Sequence, residues 1–380
     1  MSSDLPVPVE IVGKILSHVE DDLYTLASCV LASKAMSACA QPLLYRTLHL
    51  VYVVLGITNS LANGSDARTT CLEWPSGLLA ALRRQGTHLA GQPGTAPLSD
   101  ILEHLPLLEE LDLDFGQPIR DYWISPSPLS ETLPLSGTFT ASLRVLKNNT
   151  FTAASFALIA KLPKLESLHL QLSSSMVDGQ VGASPAFQLR YICIDIDNSC
   201  KSFQTSFFAP VTARSHASLA AATLPYSFSC ESLLSPFRNL TNLTLTGAPG
   251  SPHSRSPVYV FPGPWHASRI QALTAFLASN TVLRILTLSF EQGPAFDRPA
   301  LLASLPLRLE ALLLRPFHLS AFQALAALPS VPTTLRSVRW TASDGTKSWT
   351  DAQKEQIKQA CEARGIKAAF SVGKASELDG

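Results

Sequence analysis

Apolar residues recur along most of this chain in one six-residue figure, apolar-x-x-apolar-x-apolar. It stands at Leu108-Leu111-Leu113, Leu165-Leu168-Leu170, Leu189-Ile192-Ile194, Leu240-Leu243-Leu245, Leu283-Leu286-Leu288, Leu309-Leu312-Leu314 and Leu335-Val338-Trp340. A degenerate copy, Leu143-Leu146-Asn148, falls between the first two, and Tyr45-Leu48-Leu50 is placed to begin the series. Residues two apart in a strand share a face. The second and third apolar positions therefore predict a short strand that buries one face and needs a neighbour. Between the figures the spacing turns helical behind a capping hydroxyl: Ser99 before residues 100–105, Thr152 before 153–161, Ser268 before 269–278 and Ser320 before 321–327. Several of these segments end at a Leu-Pro pair (Leu105-Pro106, Leu162-Pro163, Leu305-Pro306, Leu328-Pro329), where proline stops a helix and feeds an extended segment.

From Leu108 onward the first positions of the figure are 35, 22, 24, 51, 43, 26 and 26 residues apart. Several of these intervals match a leucine-rich repeat of about 20–29 residues, and the rest require insertions. The fold class that follows is α/β: a leucine-rich-repeat solenoid with parallel strands on its concave face and helices on its convex face. Residues 116–140, 173–187, 198–236 and 247–266 are rich in Ser, Pro and Gly and fit the template poorly; they read as insertions, either spacers or ligand-contacting loops. Over 348–380 a closing unit is expected. Thr350 and Gln353 have capping-box spacing ahead of a helix over 351–364, Gly365 stops it, and a strand follows over 366–372.

The first fifty residues break from the repeat. Pro8 and Glu10 suit a helix start, and Ile11, Val12, Ile15, Leu16 and Val19 follow at helical spacing. A second helical run covers Leu23 to Met36 and a third covers Ala38 to Tyr45. The string Val7-Pro8-Val9-Glu10-Ile11-Val12 with Lys14 to Val19, then Asp22-Leu23, Thr25-Leu26-Ala27, Cys29, Leu31 and Ser33-Lys34, then Leu43 to Leu48, resembles the F-box of fungal F-box/leucine-rich-repeat proteins. It departs from that pattern at Val7, where leucine is usual, and at Ala32 and Met36, where larger aliphatic and aromatic residues are common. The resemblance implies a small all-α module (1–50) ahead of an irregular repeat domain (51–380). It further implies that the module binds the Skp-type linker of a cullin ubiquitin ligase core while the repeats hold a protein substrate. Such a subunit performs no chemistry and works by proximity. By position, Val7, Pro8, Ile11, Ile15, Leu16, Leu26, Cys29 and Leu31 become the linker-binding or module-core set. The other reading of these residues is a helical cap on a protein-binding scaffold with no ligase role.

Composition narrows the classes of function. The 380 residues carry 29 basic and 29 acidic side chains, so no global field draws in nucleic acid. Only 15% are charged, against about 25% in ordinary domains. The surface is thinly charged, which suits cover by a partner. The longest apolar run, Leu48 to Ile57, is half of the roughly 20 residues that span a bilayer, so no membrane segment is expected. Glu10, Lys14, Glu20, Asp21 and Asp22 interrupt any leader, and the seven cysteines form neither a disulfide nor a zinc pattern. A cytoplasmic or nuclear chain with reduced thiols is the expectation. No nucleophile elbow, phosphate loop or zinc-protease string occurs, and Asp195-Ile196-Asp197 lacks the glycine and the last acid of a calcium loop. No enzyme activity, cofactor or metal is expected.

In each figure the residues between and beside the leucines alternate outward. The candidate target-binding face is therefore Glu110, Asp112 and Asp114; Lys147; His169 and Gln171; Tyr191 and Asp195; Asn242 and Thr244; Thr287; Arg315; and Arg339. Its first strand is acidic and its last two are basic. That order suits a partner with the opposite order of charge, or else these are solvated strand residues with no ligand.

Overall fold

The computed structural model describes residues 8–19, 22–32, 34–57, 68–73, 105, 107–114, 138–148, 156–157, 159–172, 184–196, 208–225, 233–246, 267–289, 298–315, 321–343 and 349–373. The chain forms two compact units, residues 1–170 with 181–188, and residues 171–180 with 189–380. Among the described residues no helix is long and apolar enough to cross a membrane.

The first unit opens with helices α1 (Val9–Ser17), α2 (Leu23–Ala32) and α3 (Lys34–Leu44). Leu16, Leu26, Val30 and Ala40 make a small core, with Val12, Val19, Cys29, Cys39, Leu43 and Leu44 packed against it. Asp22 starts α2 by accepting the Thr25 amide at 3.1 Å and its hydroxyl at 2.6 Å. Helix α2 ends at Ala32 and α3 begins at Lys34, short of the expected end at Met36, because the apolar spacing runs on and carries no mark of the break.

Strand β1 (Thr47–Ile57) follows α3 and accounts for the apolar run at 48–57. It pairs antiparallel with β2 (Arg68–Glu73) and parallel with β3 (Glu110–Asp114), setting Leu48 against Leu111 and Leu50 against Leu113. Tyr45-Leu48-Leu50 thus opens the series. Strand β4 (Val145–Asn148) continues parallel to β3, and β5 (Ser167–Leu172) parallel to β4. Leu108, Leu111, Leu143, Leu146, Leu165 and Leu168 are all buried, as the figure requires. The expected helix at 100–105 lies outside the described residues apart from Leu105, and a helical turn around Phe156 and Ile159 is what is described of the one at 153–161.

The second unit runs β6 (Tyr191–Ile196), β7 (Ala221–Pro225), β8 (Asn242–Thr246), β9 (Ile285–Ser289), β10 (Ala311–Arg315), β11 (Ser337–Ser343) and β12 (Lys367–Gly373), each parallel to the next. Helices α4 (Phe208–Thr212), α5 (Ala267–Ser279), α6 (Arg298–Ala303), α7 (Ala321–Ala327) and α8 (Asp351–Glu362) alternate with the strands, and from α5 onward each packs on the next. Parallel strands separated by helices, repeated at this interval, make the fold α/β and leucine-rich-repeat-like.

The insertions need correction. The stretch 198–236 contains a whole repeat, α4 followed by β7, whose figure is Leu219-Ala222-Leu224 with alanine at the middle position. Ala222 sits between Ile192 and Leu243 in the ladder, so its larger neighbours fill the row. The 51-residue gap is thereby divided into intervals of 30 and 21. Residues 184–187 are not a free loop either, because Phe187 is fully buried. Thr138–Ala141 forms a 3-10 turn leading into β4. Residues 116–137, 173–183, 198–207, 226–232 and 247–266 lie outside the described residues.

At the end of the array the capping box is complete: the Gln353 amide donates to Thr350 Oγ1 at 3.3 Å, and the Thr350 amide to Gln353 Oε1 at 2.9 Å. The helix stops at Glu362, and Gly365 turns the chain with a positive φ of 72°, which side chains resist. Phe370 on β12 stacks on Trp340 of β11 at 5.3 Å, and Trp349 meets both rings edge-on. Removing 349–380 strips β11 of one of its two partners and uncovers Trp340. The shortened chain is expected to aggregate or to unfold less cooperatively on heating. Phe370→Ala in the full chain is expected to cost about 2 kcal/mol. An unchanged thermal midpoint in both would place the end of the array earlier.

Burial pushes the Cys361 thiol up from 9.0 to about 11, with Arg364 pulling the other way. Below pH 9 the thiol is protonated whether the chain is folded or not, and its contribution to stability is intact. As pH rises toward 11 the unfolded chain ionises and the folded one does not, so stability falls. The urea midpoint of wild type should therefore drop more between pH 8.5 and about pH 10.5 than that of Cys361→Ala. Parallel curves would mean that the thiol is not held neutral.

Candidate functional site

Three surfaces carry side chains that the core does not use. On the N-terminal module, α1 turns Leu16 inward and leaves Ile11 and Ile15, one turn apart, 48% and 58% exposed, with Pro8 also exposed. The linker-binding or module-core set thus separates. Leu16 and Leu26 are core and Cys29 packs beside them, whereas Pro8, Ile11 and Ile15 face outward. Val7 and the side chain of Leu31 lie outside the described residues.

The open strand faces are the second surface. In the first unit Asp112, Lys147 and His169 occupy one row across β3, β4 and β5, and His49 stands at the same level on β1, a neighbour that the spacing of leucines alone did not single out. Lys147 Nζ lies 2.8 Å from Glu110 Oε1 and 3.8 Å from Asp112 Oδ2. The bond to Glu110 holds the ammonium above the ordinary lysine value, while burial pulls it down. The acidic end of the face is accordingly part-neutralised by the next strand. The side chains of Asp114 and Gln171 lie outside the described residues.

In the second unit Asn242 and Arg339 are exposed, and Tyr191, Asp195, Thr244 and Arg315 are half-buried. Thr287 is a correction: at 7% exposure it is covered, between Thr244 and Leu313 in its row, and presents nothing to a target. Tyr191 Oη lies 3.3 Å from Thr223 Oγ1. Burial foremost, then the neighbouring Cys193, pushes its hydroxyl up to about 12, so it meets any ligand as a neutral group. Lys367 on β12 continues the row of Ser337 and is exposed.

The third surface lies apart from the outward strand positions. It is the edge where the strands begin, at the residue after the first leucine of each figure. Arg46 Nη2 reaches Glu109 Oε2 at 2.9 Å, Arg144 reaches Glu166 at 3.1 Å, and Arg284 reaches Glu310 at 3.1 Å. The recurrence of Leu-Arg and Leu-Glu dipeptides at one position of the repeat was the available signal. Beside β9 to β12 this edge opens into a cleft of about 370 Å³ lined by Arg284, Arg308, Glu310, Thr333, Arg336 and Arg364.

No known family model matches the chain, and no curated protein does. Among solved structures, TLR13 in its complex with ssRNA13 superposes with a TM-score of 0.34 at 15% sequence identity, over 63% of this chain and 30% of that one. The chain thus spans less than a third of that protein's length.

Proposed function

We propose that this chain is a substrate-recognition subunit of a Skp/cullin/F-box ubiquitin ligase. The N-terminal module docks the Skp-type linker, and the repeats hold the protein to be modified. The observation that carries this reading is the pair Ile11 and Ile15, half exposed on a module in which Leu16, Leu26, Val30 and Ala40 close a core. Leaving them exposed forgoes about 25 cal/mol for each Å² of apolar surface, and two aliphatic anchors one turn apart suit a helix laid into an apolar groove. Target capture belongs to the open strand faces, where Asn242, Thr244, Arg315 and Arg339 offer donors and charge. Holding a target beside the ligase core raises its effective concentration without new chemistry.

The alternative is a cap with no ligase role. In its favour, the Arg46 carbonyl accepts the amides of Glu109 and Glu110, so the module runs directly into the first repeat. A cap alone gives Ile11 and Ile15 no reason to face outward.

Ile15→Asp puts a carboxylate on the exposed strip and should keep the helical circular dichroism spectrum. Its affinity for a purified Skp-type linker should fall at least about tenfold. Leu26→Asp should instead unfold the module. A folded Ile15→Asp chain that binds the linker like wild type, or a wild type that does not bind it, contradicts the ligase reading.

A further inference from the structure

The arginines of the strand-start edge form a series. Arg46, Arg144 and Arg284 each meet a glutamate at the same position of the next repeat. Arg190 stands at the same position level with Ala220, and after Arg284 the next arginine in line is Arg336, where the pairing ends. Ser337 pairs with Lys367, so the residue level with Arg336 is Ile366, which is buried and apolar. Arg308, just ahead of Glu310, is also exposed. Among the described residues neither Arg308 nor Arg336 has an acid or a carbonyl for its guanidinium. Arg364 is held in place by donating Nη2 to the Val331 carbonyl at 3.0 Å. Four guanidinium groups therefore line the cleft with a single carboxylate, that of Glu310, which already sits on Arg284.

Guanidinium groups in this arrangement repel one another until an anion enters, and each planar fork matches a carboxylate. Their distribution selects the kind of anion. Arg284 precedes β9, Arg336 precedes β11 and Arg364 precedes β12. At about 4.8 Å per strand they spread over about 14 Å. One phosphate group reaches only part of that row. Side chains on one edge of an extended peptide recur about every 7 Å and reach along it. Glu310 on Arg284 is a carboxylate already bound in this setting.

We propose that this cleft docks an acidic peptide segment of a partner protein, whose carboxylates pair first with Arg308 and Arg336. The inference rests on the repeats being a protein-binding scaffold and is independent of linker docking, so a failure of either leaves the other standing.

The test is fluorescence anisotropy of the full chain with a labelled peptide of alternating glutamate and serine, at low salt. Wild type should bind it, and more weakly as salt screens the charges. The double variant Arg308→Gln/Arg336→Gln, folded by circular dichroism, should lose at least about tenfold in affinity. Arg214→Gln/Arg238→Gln, exposed and outside the cleft lining, should bind as wild type does. Equal binding by the cleft variant, or by the peptide with glutamine in place of glutamate, overturns the proposal. So does tighter binding of a glutamine peptide bearing one phosphoserine, which would make this a phosphate site. Tighter binding of a single-stranded oligonucleotide of equal charge also overturns it, because the cleft would then take any polyanion.

Discussion

Among the described residues, eight repeats each use one backbone carbonyl to accept two amide hydrogens from the next, and the register of the strands follows from that doubled bond. In the first unit the carbonyls of Arg46, Glu109 and Arg144 each take the amides of the second and third residues of the following figure, at 2.8–3.1 Å. In the second unit Arg190, Ala220, Thr241, Arg284 and Glu310 do the same. Both lone pairs of the oxygen are used, so the strand begins without an orphaned amide. The pair of bonds also holds register: a slip of one residue would turn every leucine from core to solvent. The series tapers at Arg336, whose carbonyl takes the amide of Lys367.

Register explains both the stability of the array and its surface chemistry. Rows of buried leucines supply the stability, each fully buried side chain contributing about 1.5–3 kcal/mol. The residue that carries the doubly bonded carbonyl stands beside its counterpart one strand away, which is why arginine and glutamate alternate over Arg46, Glu109, Arg144 and Glu166 in the first unit and over Arg284, Glu310 and Arg336 in the second. Half-exposed pairs of this kind contribute about 0–1 kcal/mol each. They matter more for which partner charges are left over than for holding the fold. Where an apolar Ile366 takes the place of the expected acid, positive charge accumulates in a cleft.

Most of the strands were legible because leucine at three fixed positions has few other uses. Leu219-Ala222-Leu224 is not legible as a strand because alanine weakens the figure and Ala220-Ala221-Ala222 reads as well for a helix as for a strand. Strand β2 runs antiparallel to β1 and lies outside the period, so no repeat could announce it. Alternation alone sent Thr287 outward; its cover comes from Thr244 and Leu313, residues distant in sequence. In the N-terminal module the helical spacing of Ile11, Ile15 and Leu16 was plain. Which of them faced the core was not, because that depends on where α2 and α3 lie. The arginine-lined cleft joins residues 80 positions apart, Arg284 and Arg364, and only the strand register brings them to one edge.

Native-state hydrogen exchange tests most directly whether the doubled carbonyl bond governs the array. The amides of Ala220 and Ala221, Thr241 and Asn242, Arg284 and Ile285, Glu310 and Ala311, and Arg336 and Ser337 all donate to it in the second unit. They should be among the slowest to exchange there and should share one opening free energy. Exchange of the first member of each pair at the rate of an unprotected loop amide, with only the second slow, would contradict the account.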